Sequence, residues 1–146
     1  MWKFRLFKNR TKTEIGEETN EFSDKEVTTE NIKRALADSS DIRYQVYYIN
    51  GRRHLPVTLV YVDGLVNTKL VDDDILKPLM QEEVLAEAKS QEDIIYLIEH
   101  GIIYHASRKI QNSLGETLAD ILSGSVALVF DREKKAVTFD AQGFAK

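Results

Sequence analysis

The chain has 146 residues, of which 42% are hydrophobic and 30% charged, and this composition is typical of a single folded domain in water. It contains no cysteine, which excludes disulfides and thiolate metal sites and favours a reducing compartment. The net charge of −4 argues against nucleic acid as a partner, and no apolar run approaches the roughly 20 residues that cross a bilayer.

The first thirty residues are polarised in charge. Residues 1–12 interleave basic with bulky apolar side chains and contain no acid, whereas the charges of residues 14–30 are mostly acidic. The basic segment lacks the apolar core and cleavage site of a signal peptide, and a strand, a frayed tail, a docking arm or contact with an anionic bilayer all stay open. Because residues 11–25 offer little apolar surface to bury, we predict a flexible segment over residues 1–24 and a single α/β domain over residues 25–146.

Capping residues and the three-four spacing of apolar side chains predict several helices, with N-caps at Thr28 or Thr29, at Ser90 and at Ser113. These helices cover residues 28–38, 72–80, 81–89, 90–101 and 113–124. The carboxylates of residues 72–74 suit a helix N-terminus, so we expect them to cap the second helix. Pro78 predicts a kink or a restart near Leu79.

Five segments are rich in β-forming residues, namely 42–49, 55–62, 102–110, 126–130 and 136–140. Asn50-Gly51 lies between the first two and predicts a hairpin with a tight type I′ turn. The last two segments predict a second hairpin. Since helices alternate with these strands, the sequence predicts an α/β (α+β) fold in which a mixed sheet of about five strands packs against helices.

No pattern in the sequence predicts catalysis, a metal or a cofactor. The histidines are His54, His100 and His105, and they lack the spacing of a metal site. Residues 72–74 lack the ligand spacing of a calcium loop, and the glycines do not form a phosphate-binding motif. Ser107 and Ser123 are candidate nucleophiles but have no nucleophile elbow around them. We therefore expect that the protein is not an enzyme.

Two stretches carry a family resemblance. Residues 59–80 contain LVYVDGLV and DILKPLM, and residues 122–144 contain LSGSVALVFD and AVTFDAQGF. They resemble the "YxDGLVD…ILxPLM" and "LSGxxxLxxD…AxxxDxxG" patterns of the A subunits of bacterial spore germinant receptors, the GerA family. Asn67 departs from the pattern, because the family often has Asp there. We predict structural roles for the motif positions Tyr61, Asp63, Gly64, Leu65, Val66, Ile75, Leu76, Pro78, Leu79, Gly124, Asp131, Asp140 and Gly143.

The resemblance implies the amino-terminal, cytosol-facing domain of a protein of the spore inner membrane. It implies B and C subunits and other A copies as partners in the response of dormant spores to nutrients. Because family chains continue into a second soluble lobe and transmembrane helices, it also implies that this piece is a first lobe and that membrane contact belongs to the missing part. Two functions stay open: assembly with signal relay, or binding of a small-molecule nutrient in a crevice with Asp63-Gly64 at its rim.

Overall fold

The structure is a computed structural model that describes residues 12–102 and 108–142. In this part of the chain the strands are β1 (Ile42–Tyr48), β2 (Pro56–Val62), β3 (Lys109–Gln111), β4 (Ser125–Phe130) and β5 (Lys135–Asp140). They form one five-stranded sheet with the spatial order β1-β2-β4-β5-β3. The prediction of an α+β fold with about five strands and two hairpins is therefore confirmed.

The direction of the strands differs from the expected mixed sheet. Every pairing between the described strands is antiparallel, including β2 with β4 and β3 with β5. The sheet joins two hairpins side by side and adds the short β3 at one edge. Local sequence determines each hairpin, but the direction in which one hairpin meets the other depends on long-range packing, which explains this correction.

Helices cover both faces of the sheet. The α-helices are α1 (Lys12–Thr19), α2 (Thr29–Ala35), α3 (Thr68–Leu70), α4 (Lys77–Gln81), α5 (Gln91–Leu97) and α6 (Leu114–Leu122). One buried cluster lies between the sheet and α1, α2 and α6, and the other lies between the sheet and α3, α4 and α5. Successive side chains of β4 point to opposite faces of the sheet. Leu128 therefore packs in the cluster next to α3, α4 and α5, and Val129 packs in the cluster next to α1, α2 and α6.

Three predicted N-caps are present in the structure. The hydroxyl of Thr28 accepts the Asn31 N–H at 3.0 Å, and the hydroxyls of Ser90 and Ser113 do the same at the starts of α5 and α6. Each satisfies a backbone donor that a helix start leaves unpaired. Helix α2 ends at Ala35, with Leu36 as its C-cap, which is slightly earlier than predicted.

The second predicted helix begins earlier than expected. The side chain of Asn67 accepts the N–H groups of Lys69 and Leu70, so Asn67 is the cap and the acidic residues 72–74 are not. Those acids lie in a π-helical turn, Val71–Leu76, that joins α3 to α4. This π-helical turn precedes Pro78 and shifts the pattern of backbone hydrogen bonds. The helix can therefore continue through Pro78, which has no N–H to donate.

The loop of the first hairpin is longer than predicted. Asn50 and Gly51 have φ angles of 53° and 72°, which is the type I′ geometry expected for this dipeptide. The N–H of Ile49 nevertheless bonds the carbonyl of Leu55, and a second turn follows from Arg52 to Leu55. The extra length lets Arg52 reach away from the sheet and donate from its guanidinium to the carbonyl oxygens of residues 85, 86 and 88.

The described part of the N-terminal segment is helical, although we predicted a flexible segment over residues 1–24. Helix α1 buries Ile15 and Thr19 against α6. The close approach depends on Gly115, because a Cβ there would lie 2.6 Å from the Thr19 carbonyl oxygen. A contact between backbones needs few large apolar side chains, so the composition of this segment does not reveal it. Residues 1–11 lie outside the described residues.

Two other segments differ from the prediction. Residues 81–89 do not form a full helix, because α4 ends at Gln81 and only a 3₁₀ turn, Glu83–Glu87, follows. In the predicted strand over residues 102–110, strand pairing begins at Lys109, and residues 103–107 lie outside the described part of the chain.

Candidate functional site

The first motif stretch, residues 59–80, contains a turn directly after β2. The Asp63 N–H donates to the Asp41 carbonyl at 2.7 Å, and Arg43 Nη2 lies 2.9 Å from Asp63 Oδ2. Gly64 has a φ of 93°, which an L side chain adopts only with strain. Because the side chains of Arg43 and Asp63 are both about half exposed, their ion pair contributes at most about 1 kcal/mol.

The two motif stretches meet at one end of the sheet. Val66 forms an isolated antiparallel bridge with Gln142, and the Asn67 N–H donates to the Ala141 carbonyl at 2.8 Å. The Ala141 N–H in turn donates to the carbonyl of Gly124 at 3.3 Å. Segments that are far apart in the sequence are thereby tied together by backbone hydrogen bonds.

Gly124 and Gln142 form the tightest contact of this junction. Gly124 has a φ of 102°, and a Cβ added there would lie 2.5 Å from Gln142 Cγ. Gln142 Nε2 donates to the Ser123 carbonyl at 2.6 Å, and the Gln142 N–H donates to Asp140 Oδ1 at 3.3 Å. The polar groups of Gln142 therefore form hydrogen bonds within the junction itself.

The remaining motif positions also make contacts within the domain. Ile75, Leu76 and Leu79 are buried in one core, with Tyr61 packed against it, whereas Leu65 packs against the other. Asp131 lies at the opposite end of the sheet and accepts the Thr29 N–H at 2.6 Å and the Thr29 hydroxyl at 3.0 Å. Gly143 lies outside the described residues.

Sequence reasoning did not identify a buried polar cluster around Asp120. Gln111 Nε2 and Thr138 Oγ1 donate to Asp120 Oδ2 at 2.7 and 2.8 Å, and Lys109 Nζ lies 3.8 Å from Asp120 Oδ1. The cluster lines a cavity of about 350 Å³ between α6 and the sheet. Asp120 interrupts the apolar sequence of α6, which is the signal that could have revealed it. Oδ2 of Asp120 accepts both hydrogen bonds, whereas Oδ1 has, among the described residues, only the longer ion pair with the largely exposed Lys109.

A larger groove, of about 740 Å³, lies beside α2. Its floor is apolar and includes Phe22 and Leu114, and its rim carries charges of both signs, Lys25 and Arg34 with Asp24 and Glu26. The Asp63-Gly64 turn lines neither this groove nor the cavity at Asp120.

Of the histidines and serines considered for chemistry, His54, His100 and Ser123 are described, and they lie in separate segments of the chain. The carbonyl of His54 accepts from Arg132, and the ring of His100 stacks on Tyr96 with 4.0 Å between centroids. His105 and Ser107 lie outside the described residues, and Ser123 donates its hydroxyl to Ala119. No group of three or more His, Cys, Asp and Glu in residues 12–102 and 108–142 could hold a metal ion. The helices over the same residues are too short or too polar to cross a membrane.

A few large apolar side chains remain exposed. They are Val46 (52%), Tyr48 (44%), Val84 (49%) and Tyr96 (58%). Val46 and Tyr48 are neighbours on the same face of β1, at the edge of the sheet. On this face Tyr44 packs more deeply, with Lys33 Nζ 5.1 Å above its ring, and burial raises the pKa of Tyr44 to about 12.

The fold and the junction of the two motif stretches define an α+β domain. The family model described as Bacillus/Clostridium GerA spore germination protein matches residues 30–146, and the chain therefore belongs to this family. The chain is 20% identical to spore germination protein KA of Bacillus subtilis (strain 168) over 111 residues, which are 76% of this chain and 20% of that protein.

The fold has a counterpart among solved structures. The N-terminal domain of the A subunit of the Bacillus megaterium spore germinant receptor GerK3 superposes with a TM-score of 0.63 at 22% sequence identity. The match covers 79% of this chain and 45% of that chain, so the two share the α+β fold over less than half of the solved domain. The chain also spans only about a fifth of the curated relative that it matches.

Proposed function

We propose that this chain is part of the N-terminal domain of a spore germinant receptor A subunit, and that it acts in receptor assembly and in relay of the nutrient signal. Membership of the GerA family and the fold shared with the GerK3 domain support the receptor role. The observation that carries the assembly role is the exposed apolar pair Val46 and Tyr48 on an edge strand. Exposed apolar surface next to an open sheet edge is typical of a protein interface.

The disposition of the motif residues supports the same role. Buried positions such as Ile75 and Leu79 maintain the core, and Asp131 binds Thr29 at the start of α2, so these residues build the scaffold. A scaffold role leaves the outer surface for contact with other proteins. The B and C subunits and other A copies are the partners that we propose, with the inner membrane reached through parts of the protein outside this chain. We propose no catalytic step for the domain.

The experiment is made in spores whose receptor A subunit carries this domain. We expect the substitution Val46→Lys, which places a charge on the edge strand, to reduce copurification of the B and C subunits and to slow nutrient-triggered germination. Val84→Lys is the matched control, because Val84 is equally exposed but lies on a 3₁₀ turn away from the sheet edge. Normal complex formation and normal germination with Val46→Lys would contradict the assembly role.

A second candidate function is direct binding of a nutrient in the groove beside α2. Its volume of about 740 Å³ lies within the usual range of small-molecule sites, about 300 to 1,000 Å³. The rim charges of Lys25, Arg34, Asp24 and Glu26 suit a ligand with both an acidic and a basic group. If the groove binds a nutrient, that nutrient raises the unfolding temperature of the domain, and Arg34→Ala weakens the effect.

A further inference from the structure

Strand β1 is an edge strand of the sheet that the described residues form. It lies at one end of the sheet and pairs, within residues 12–102 and 108–142, with β2 alone. The pairing runs without a bulge over seven positions, from Ile42 with Val62 to Tyr48 with Pro56. Natural edge strands are usually protected by lysine, proline, a bulge or a covering segment. In β1 the only charged residue is Arg43, which is already paired with Asp63.

The backbone hydrogen bonds identify which groups of β1 point outward. The Ile49 N–H donates to Leu55, and the Asp63 N–H donates to Asp41, so the odd-numbered residues of this hairpin bond across to β2. In an antiparallel pair, inward-bonding and outward-pointing residues alternate. The N–H and C=O groups of the even-numbered residues 42, 44, 46 and 48 therefore face the open edge.

The side chains of the same even-numbered residues share one face of the sheet. Val46 and Tyr48 are 52% and 44% exposed on this face, next to the partly buried Tyr44. The free backbone groups and the exposed apolar side chains thus belong to the same residues, and a strand added at this edge would satisfy both.

The sequence of β1 is complementary to itself in one antiparallel register. With a two-fold axis at Gln45, Tyr44 lies opposite Val46 of a second copy, and Ile42 lies opposite Tyr48. All four outward-facing residues then form hydrogen-bonded pairs, which gives about eight inter-strand hydrogen bonds. The side-chain pairs are aromatic with β-branched, a combination that stabilises neighbouring strands.

Charges fit this register as well. Arg43 lies opposite Tyr47 of the second copy, where its guanidinium can stack on the aromatic ring. The Arg43 residues of the two copies lie four positions apart along the paired strands. The axis itself passes the uncharged Gln45. No like charges therefore face each other across the two strands.

We propose that β1 binds β1 of a second copy of this chain in this antiparallel register, which joins two five-stranded sheets into one. The inference deepens the proposed assembly role, because it names the surface and the partner. It predicts a two-fold symmetric contact in which residue 45 of one copy lies beside residue 45 of the other.

The absence of cysteine from the chain permits a cross-linking test of the register. Opposite residues of a non-hydrogen-bonded pair have Cα atoms about 4.5 Å apart, which a disulfide can span. We expect Gln45→Cys in the 146-residue chain to form a disulfide-linked dimer under mild oxidation. Val46→Cys tests the alternative register with the two-fold axis at residue 46. In the proposed register residue 46 lies opposite residue 44, so Val46→Cys should cross-link far less. Val84→Cys is the control for random collision, because its side chain is equally exposed on another surface.

Sedimentation velocity tests the contact without cross-linking. We expect the unmodified chain to dimerise and Val46→Pro to raise the dimer dissociation constant at least about tenfold. The Val46 N–H points outward, so proline there removes a donor of the open edge and leaves the bonds to β2. Val46→Lys should act in the same direction, and Val84→Lys should leave the dimer unchanged.

Cross-linking of Gln45→Cys well above Val84→Cys, together with a dimer weakened by Val46→Pro, supports the proposal. Equal cross-linking of the two variants, or a monomeric chain, overturns it. Cross-linking that arises only after deletion of residues 1–11 also overturns it, because the edge would then be occupied by the chain's own basic segment. If Val46→Lys impairs receptor assembly in spores while Gln45→Cys does not cross-link, the assembly role stands and this partner is wrong.

Discussion

The Asn67 N–H donates a 2.8 Å hydrogen bond to the carbonyl oxygen of Ala141. Through this bond and the adjacent bridge between Val66 and Gln142, the segment after β2 is held to the segment after β5. The side chain of Asn67 also caps α3, so one residue links the end of the sheet to the helices of one face. The stability of this junction is open to direct measurement.

Gly124→Ala should destabilise the domain by about 1 to 3 kcal/mol. The positive φ of 102° strains an L residue, and the new methyl group would displace Gln142. Denaturant unfolding measures the change, and Gly16→Ala is the control, because nothing lies within 4 Å of a Cβ in that helix. Gly16→Ala should be neutral or stabilising by up to about 1 kcal/mol. Equal effects of the two substitutions would contradict the account of the junction.

Arg52→Ala should cost about 2 kcal/mol. The Arg52 guanidinium donates to the carbonyl oxygens of Leu85, Ala86 and Ala88, and a charged donor shared among carbonyls contributes more than a neutral one. Chemical denaturation provides the measurement. Arg53→Ala removes the same charge from an exposed neighbouring position and should change stability by less than about 0.5 kcal/mol. The prediction is wrong if both arginines contribute alike.

Asp131→Ala should destabilise the domain by about 1 kcal/mol, because it removes the carboxylate that binds Thr29 at the start of α2. Asp131→Asn keeps an oxygen that can accept the Thr29 N–H but loses the charge and the second acceptor. We expect an intermediate loss for Asp131→Asn in equilibrium unfolding. A stability equal to that of the unmodified domain for both variants would show that this contact is dispensable.

Tyr44 should ionise at a more alkaline pH than an ordinary tyrosine. Burial disfavours the phenolate and raises the pKa of Tyr44 to about 12, above the ordinary value of 10.0. The folded state holds the Tyr44 proton more tightly than the unfolded state does. The stability that this proton contributes is therefore complete below pH 10 and is lost as the pH rises from 10 towards 12. Absorbance titration of the phenolates measures this, and Tyr44→Phe should remove the ionisation step with a pKa of about 12. The same step unchanged in Tyr44→Phe would contradict the assignment.

Features set by nearby residues could be predicted from the sequence. The caps Thr28, Ser90 and Ser113 depend on residues within four positions, and the positive φ angles of Asn50 and Gly51 depend on the dipeptide itself. The second hairpin follows from alternation and a short turn. Family membership was also recognised from short motifs in the right order.

Features that depend on distant residues were not predicted. Helix α1 is held by backbone contact with Gly115, about a hundred residues along the chain, which composition does not reveal. The cap at Asn67 was missed because the three acids that follow offer a stronger local signal for a helix start. The cluster of Asp120 with Gln111 and Thr138 joins a helix to two strands, and its members are separated in sequence. Tertiary packing decides each of these.

Thermal unfolding of the domain with and without a panel of amino acids, sugars and nucleosides at millimolar concentration tests the central claim, that the domain acts through protein contacts. The account predicts an unfolding temperature that no compound changes appreciably. A ligand present at about 100 times its dissociation constant would add about 2.7 kcal/mol, which is about 5 to 10 °C for a chain of this size. A rise of that order with one compound would contradict the account and make the domain a direct nutrient sensor.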